Sequence, residues 1–243
     1  MKKLLSELFI LIFLGTVIFA ETKKGTVLDD RVRVRSAPSL KYSNIVGVVN
    51  KGDALEVDAK TDYLDNIDGF SKTWYRVNFS NQEYWIYGGY FSVDSNAEYY
   101  LEELSKSRAM GYALLNYNVK FVADCGDYLR KGKNVKKTYE SFKVEGGYEI
   151  NAICYNFEYG SVIIDCYTLD DTQFTWTSTS IVKNCENPLN LKLDMTMEEV
   201  KAVFGEFDYI EANKAFIYGG GIRAEFIFNK NRLERINLVT DGC

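Results

Sequence analysis

The reactive side chains of this sequence limit the chemistry it can perform, because it contains five cysteines and no histidine. The lack of histidine excludes Ser-His-Asp and Cys-His triads, histidine-based zinc hydrolase sites and histidine general bases. A cysteine nucleophile would need a lysine or a carboxylate as its base, and the sequence has no Cys-x-x-C pair for redox or zinc chemistry. No two carboxylates are marked by their context as a glycosidase pair. We therefore predict a protein that is not an enzyme and that uses no cofactor.

The first twenty residues are typical of a secretory signal. Lys2 and Lys3 precede an apolar run from Leu8 to Phe19, and Ala20 offers a cleavage point. Ile18 is larger than the small residue preferred before such a point, so retention of the segment as an anchor stays an alternative. We predict a signal peptide over 1–20, an exported protein in the periplasm or outside the cell, and no membrane-spanning segment after its removal.

Net charge excludes another class of partner. Removing 1–20 would change the formal net charge from −5 to −6, since this segment holds two lysines and one glutamate. An acidic surface of this kind lacks the basic footprint that nucleic acids and anionic lipids require. We predict no nucleic-acid partner.

In an exported protein, disulfides are the usual role of cysteines. The sequence predicts a hairpin of two strands, Tyr148–Phe157 and Ser161–Leu169. If it turns symmetrically about Gly160, Cys154 lies opposite Cys166 at a distance that a disulfide can bridge. We predict Cys154–Cys166 as the first pair and Cys125–Cys185 as the second, with Cys243 left over.

Short strands with a period of two occupy the N-terminal third, separated by turn residues. Its motifs are Val32-Arg-Val-Arg-Ser-Ala-Pro38, a strand and Lys-Gly-Asp turn over Val46–Asp53, Trp74-Tyr-Arg-Val77 and Trp85-Ile-Tyr-Gly-Gly-Tyr90. In order and spacing they resemble the bacterial SH3-like (SH3b) family, although Tyr84 replaces the glycine usual before the tryptophan. The resemblance implies a small all-β barrel, which we place at 24–94, and a binding function without fixing the ligand.

Aromatic residues of this barrel are the candidate ligand-binding residues. Alternation along the two tryptophan-containing strands places Trp74 and Trp85 on the face opposite the core. They either cap the rim of the barrel or line an exposed groove with other aromatic side chains. The groove hypothesis assigns ligand binding to Tyr63, Trp74, Trp85, Tyr87 and Tyr90.

The loop after Val57 is acidic but does not fit a calcium site. Asp58, Asp62, Asp65 and Asp68 lack the spacing of an EF-hand loop and its final glutamate. We predict no metal site.

The rest of the chain reads as a helix followed by an α+β domain. Ser95-Asn-Ala-Glu98 has the form of a capping box and predicts a linker helix over 95–114. Over 115–243 the sequence predicts an antiparallel sheet and one packed helix, which begins at the second capping box, Thr196–Glu199, and stops at Gly205. The fold class is therefore two-domain: a small all-β SH3-like barrel followed by an α+β domain with an antiparallel sheet and one packed helix.

The segment Leu193–Gly205 with the strands after it weakly resembles small envelope α+β modules of the outer-membrane assembly lipoprotein and lactamase-inhibitor-like group. Asp194 replaces the first glycine of their signature, and Phe207 replaces a later proline. Together the two resemblances imply a non-catalytic envelope protein whose SH3-like module recognises peptidoglycan peptide or an envelope protein. The alternative is a structural or inhibitor-type module whose C-terminal sheet binds a partner protein.

Overall fold

The computed structural model describes residues 23–123, 125–143, 149–169, 174–219 and 222–240. The predicted signal peptide and Cys243 lie outside these ranges. No helix in the described ranges is long and apolar enough to cross a membrane.

The N-terminal part is built of short strands. Up to Leu104 the described strands are β1 (Lys24–Val27), β2 (Val32–Arg35), β3 (Ile45–Val49), β4 (Ala54–Thr61), β5 (Asp65–Ile67), β6 (Phe70–Lys72), β7 (Trp74–Phe79), β8 (Gln82–Tyr87), β9 (Phe91–Val93) and β10 (Glu102–Leu104). Strands β5 and β6 form a separate hairpin, and the others form one sheet in the order β3-β2-β8-β7-β4-β1-β9, with β10 parallel to β4. All the other pairings in this sheet are antiparallel.

Alternation along these strands divides the sheet into an inner and an outer face. Val34, Tyr75, Val77 and Ile86 are buried together in the inner core. The outer face carries a second, smaller cluster that includes Trp74.

The segment between the two sheets is not the continuous helix predicted over 95–114. It forms helix α1 (Ser95–Glu98), strand β10 and helix α2 (Lys106–Ala123). Helix α1 is capped by Asp94, whose carboxylate accepts a hydrogen bond from the backbone N–H of Asn96, rather than by Ser95. The helix is interrupted because 102–104 pairs with β4, a contact between distant parts of the sequence that local capping signals do not report.

The C-terminal part combines a large sheet with helices. Its elements are helix α3 (Cys125–Lys131), strands β11 (Lys133–Lys143), β12 (Glu149–Tyr159), β13 (Val162–Thr168) and β14 (Phe174–Ile181), helix α4 (Met197–Phe204), and strands β15 (Tyr209–Glu211), β16 (Lys214–Gly219), β17 (Ile222–Asn229) and β18 (Arg232–Thr240). The strands run antiparallel in the order β11-β12-β13-β14-β18-β17-β16-β15. The antiparallel sheet is confirmed, but the chain is mostly β.

The predicted packed helix is α4. Thr196 Oγ1 accepts a hydrogen bond from the N–H of Glu199, whose carboxylate accepts one from the N–H of Thr196, and Gly205 ends the helix with φ of 89°. Helices α2 and α3 also contribute to the same core, through Met110, Leu114 and Cys125.

The two sheets are joined by packing as well as by sequence. Ser36 Oγ donates a 2.6 Å hydrogen bond to the carbonyl of Pro188, and Asn44 Nδ2 donates one of 3.0 Å to the carbonyl of Asn187. Ala37, in the loop after β2, is fully buried as a member of the C-terminal core. Helix α2 adds Ala109 to the cluster on the outer face of the first sheet.

Candidate ligand-binding groove

A groove of about 450 Å³ opens on the outer face of the first sheet. It runs between strand β2 with its preceding loop, on one side, and the β5–β6 hairpin on the other. The residues that line it are Asp29, Asp30, Arg31, Val32, Arg33, Arg35, Leu40, Ile67, Asp68, Trp74, Tyr87 and Tyr90.

Three of the five predicted ligand-binding aromatics lie in this groove. The rings of Trp74 and Tyr87 meet edge to face with centroids 5.2 Å apart, and Tyr90 continues the row at 6.2 Å from Tyr87. Trp74 and Tyr87 are buried, whereas Tyr90 is partly exposed. These three side chains form the aromatic floor of the groove.

The β5–β6 hairpin is fixed to this floor by hydrogen bonds. Trp74 Nε1 donates to Asp65 Oδ2 at 2.7 Å, and the Tyr87 hydroxyl donates to the backbone carbonyl of Asp65 at the same distance. Tyr87 Oη also accepts a hydrogen bond from the N–H of Lys72 at 3.1 Å. One wall of the groove therefore depends on side chains of its floor.

Of the two alternatives for the tryptophans, an exposed groove lined by both is wrong. Trp74 and Trp85 are each 1% exposed. They do lie on the face opposite the inner core, but Leu104 and Ala109 pack into the same cluster and Tyr63 lies against it. The cover comes from segments distant in sequence, which strand alternation does not reveal.

Trp85 and Tyr63 do not line the groove. The Tyr63 hydroxyl donates to the carbonyl of Pro38 at 3.3 Å. Burial, followed by the nearby carboxylates of Asp65 and Asp62, raises the pKa of Tyr63. Both residues have packing roles here, and ligand contact by the other three predicted aromatics stays a prediction.

Charged side chains of both signs surround the aromatic floor. Asp68, at the turn of the hairpin, accepts a 2.7 Å hydrogen bond from the Tyr90 hydroxyl, and this bond raises the pKa of Tyr90. On the other side, Arg35 is 8% exposed and its Nη1 donates to Ser43 Oγ at 3.1 Å. Burial, and then the charge of Arg33, lower the pKa of Arg35. Aromatic side chains and charged side chains of both signs therefore line the same groove.

Sequence reasoning missed these charged residues as part of the site. Arg33 and Arg35 are two positions apart on β2, so alternation alone places them on one face. That signal was present within the motif used for the family resemblance. The contribution of Asp29 comes from a loop, for which the sequence holds no comparable pattern.

A model of the bacterial SH3 domain family matches residues 30–92. Residues 30–92 form a bacterial SH3 domain. This confirms the resemblance of the N-terminal motifs, and the matched range contains most of the groove. The resemblance of Leu193–Gly205 to envelope modules is untested and stays a prediction.

A curated protein also shows similarity to the chain. The beta-N-acetylglucosaminidase of Bacillus subtilis (strain 168) is 26% identical over 114 residues, which cover 46% of this chain and 12% of that enzyme. The chain therefore spans only about an eighth of the length of this relative. No solved structure gives a significant match.

Three of the four carboxylates of the acidic loop in the SH3 domain have partners within the protein. Asp58 binds Arg76, Asp65 accepts from Trp74, and Asp68 accepts from Tyr90. Within the described residues, no group of three or more acidic or cysteine side chains is arranged to hold a metal ion.

The predicted disulfide pairing is wrong. The structure joins Cys125 of helix α3 to Cys166 of strand β13. The hairpin turns on Gly160 and Ser161 together, so that Cys154 lies opposite Tyr167 and Cys166 lies opposite Tyr155. This shift of one residue places Cys154 and Cys166 on opposite faces of the sheet.

The predicted pair Cys125–Cys185 is therefore also wrong, and Cys185 takes no part in the disulfide. Cys154 is a buried thiol. Burial, with a smaller contribution from the charge of Asp165, raises its pKa to about 11.

Proposed function

We propose that this chain is an exported, non-catalytic protein of the cell envelope, and that its SH3 domain binds peptidoglycan peptide in the groove above Trp74, Tyr87 and Tyr90. The observation that carries the proposal is the groove itself. It combines an aromatic floor with charged walls, an arrangement suited to small polar ligands. An envelope protein presenting a peptide of similar chemistry is the alternative partner for the same surface.

The similar Bacillus protein supports a link to the cell wall. Its name describes an enzyme that acts on β-linked N-acetylglucosamine, a sugar from which peptidoglycan is built. The shared segment is a small part of that enzyme.

A role without catalysis is supported by the side chains. The sequence has no histidine, and the pKa of Cys154 near 11 leaves little thiolate to act as a nucleophile at neutral pH. The disulfide Cys125–Cys166 fits an oxidising compartment outside the cytoplasm.

Retention of the purified chain on insoluble peptidoglycan sacculi tests the proposal. The Tyr90→Ala variant removes a partly exposed ring from the floor and is expected to weaken retention about tenfold, as loss of an aromatic anchor does at other interfaces. Tyr139→Ala is the matched control, because Tyr139 is an exposed tyrosine on strand β11 of the other sheet. Absence of retention, or equal retention of the wild type and Tyr90→Ala, would contradict the proposal.

A further inference from the structure

The SH3 domain contains two buried arginines that differ in how their charge is balanced. Register places Trp85 between Arg35 on strand β2 and Arg76 on strand β7. Arg35 and Arg76 are 8% and 6% exposed. Each guanidinium is therefore at least partly removed from water, which has a cost in free energy.

The positive charge of Arg76 is balanced by carboxylates of the protein. Its Nε and Nη2 donate to the two carboxylate oxygens of Asp58 at 2.9 and 2.7 Å. Glu83 and Glu102 each approach it to 3.7 Å. The planar guanidinium thus meets a carboxylate in the bidentate geometry that it favours.

Arg35 has no such partner. Among the described residues, its hydrogen bond runs from Nη1 to the hydroxyl of Ser43, and no aspartate or glutamate forms an ion pair with it. Arg35 lines the groove, and Arg33, which lowers its pKa through charge repulsion, lines it as well. Two positively charged side chains therefore lie together at one wall of the groove.

We propose that Arg35 binds a carboxylate of the ligand, with Arg33 adding to the attraction, so that the groove selects peptides with a free carboxylate. This inference rests on the proposed function and specifies its ligand. Peptidoglycan stem peptides carry free carboxylates, whereas the N-acetylglucosamine units of the glycan strand carry none. Arg35 therefore directs binding to the peptide part of the wall and away from its sugar backbone. The acidic side chains Asp29 and Asp68 line the same groove and suit an amino group of the same peptide.

The test compares native sacculi with sacculi whose carboxylates have been converted to neutral amides by carbodiimide coupling. Wild-type chain is expected to bind the amidated material at least about tenfold more weakly, because a charge-assisted hydrogen bond is lost. General electrostatics predicts the opposite change, since the chain has a net charge of −5 and amidation makes the wall less negative. The direction of the change thus separates a specific carboxylate contact from overall charge.

Variants locate the contact. Arg35→Met is expected to bind native and amidated sacculi equally weakly. The variant is expected to fold, because replacing a buried charged side chain by an apolar one of similar size is often tolerated. Arg33→Gln changes an exposed residue and is expected to reduce binding to native sacculi several-fold while retaining some preference for them. Arg130→Gln, exposed on helix α3, is the matched control and should bind as the wild type does.

Each result is decisive. Equal retention of the wild type on the two materials would overturn the carboxylate contact and leave the proposed function standing. Absence of retention on native sacculi would overturn the proposed function and this inference together. If Arg35→Met does not fold by circular dichroism, the amidation comparison and Arg33→Gln decide the question.

Discussion

The indole Nε1 of Trp74 and the carboxylate Oδ2 of Asp65 lie 2.7 Å apart and form a hydrogen bond. Trp74 belongs to the floor of the groove, while Asp65 begins the hairpin that forms one wall. A buried indole N–H needs a partner, and this partner also sets the position of the hairpin. Fold stability and groove shape therefore depend on the same contact.

We expect Asp65→Ala to destabilise the chain by about 1–3 kcal/mol, because the indole N–H of Trp74 would be left buried without an acceptor. Urea denaturation followed by tryptophan fluorescence measures this change. Asp62→Ala is the matched control, since Asp62 is an exposed carboxylate close by in the sequence. Equal stability of the two variants would show that the hydrogen bond adds nothing.

The disulfide between Cys125 and Cys166 is expected to stabilise the C-terminal part by about 4 kcal/mol, the loop-closure value for the 41 residues that separate them. Peptide mapping without reduction should recover Cys125 joined to Cys166 and Cys154 as a thiol. The double variant Cys125→Ser, Cys166→Ser should have the stability of the reduced wild type.

In contrast, Cys154→Ala should retain its sensitivity to reductant, because Cys154 is not in the bond. A mapped Cys154–Cys166 pair would contradict the register of strands β12 and β13.

That register illustrates how far the sequence predicts this fold. Both strands of the hairpin and the glycine at its turn are predictable from composition and turn residues. The sequence predicts a turn centred on Gly160, whereas the observed turn is centred between Gly160 and Ser161. The two centres differ by only half a residue. This difference nevertheless decides which cysteines share a face, because side chains alternate along each strand. Local patterns give the strands, whereas the pairing requires the packed structure.

The difference between local sequence patterns and long-range pairing also explains which features of the groove and of the segment 95–114 could be predicted. Alternation correctly separates Trp74 from the inner core, and the SH3 motifs correctly predict the sheet. Trp74 and Trp85 are buried in a cluster with Leu104 and Ala109, which come from strand β10 and helix α2. The second capping box, at Thr196, is confirmed because all its hydrogen bonds are local. The Thr196 box was therefore predictable from neighbouring residues, whereas the burial of the two tryptophans depends on segments that are distant in the sequence.

Asp165 is expected to make the stability of the chain depend on pH. Burial raises the pKa of Asp165 above its ordinary value, and the negative charge of Glu140 raises it further. The hydrogen bond that Asn156 Nδ2 donates to Asp165 lowers this pKa, but by less than burial raises it. The folded state therefore holds the proton more tightly than the unfolded state, whose carboxyl titrates near pH 4. The resulting stabilisation is complete below about pH 4 and is lost as pH rises through the raised pKa.

Asp165→Asn should remove this dependence, since its amide is neutral at every pH. The variant should gain stability relative to the wild type as pH rises, with a slope of at most about 1.4 kcal/mol per pH unit between the two pKa values. Urea midpoints measured from pH 4 to pH 7 provide the comparison. Glu186→Gln, which removes an exposed carboxylate, is the matched control. A constant difference between Asp165→Asn and the wild type would contradict the assignment.

Ala37 should couple the unfolding of the SH3 domain to that of the C-terminal sheet. It lies within the Ser-Ala-Pro turn of the SH3 domain but is fully buried in the C-terminal core, in the same cluster as Leu189. The hydrogen bond from Ser36 to Pro188 lies beside it. We therefore expect a single unfolding transition in which amides of β2 and β14 exchange with similar free energies.

Ala37→Glu tests this coupling, because it would place an unpaired carboxylate inside the shared core. The expected loss is at least about 3 kcal/mol, with faster hydrogen exchange in both sheets. Lys41→Glu introduces the same charge at an exposed position of the same loop and should leave stability nearly unchanged. Two separate transitions in the wild type, or faster exchange in only one sheet of Ala37→Glu, would mean that the sheets fold independently. In that case the contacts of Ser36 and Ala37 would not contribute to the free energy of unfolding, and the position of the SH3 domain relative to the C-terminal sheet would not be fixed by them.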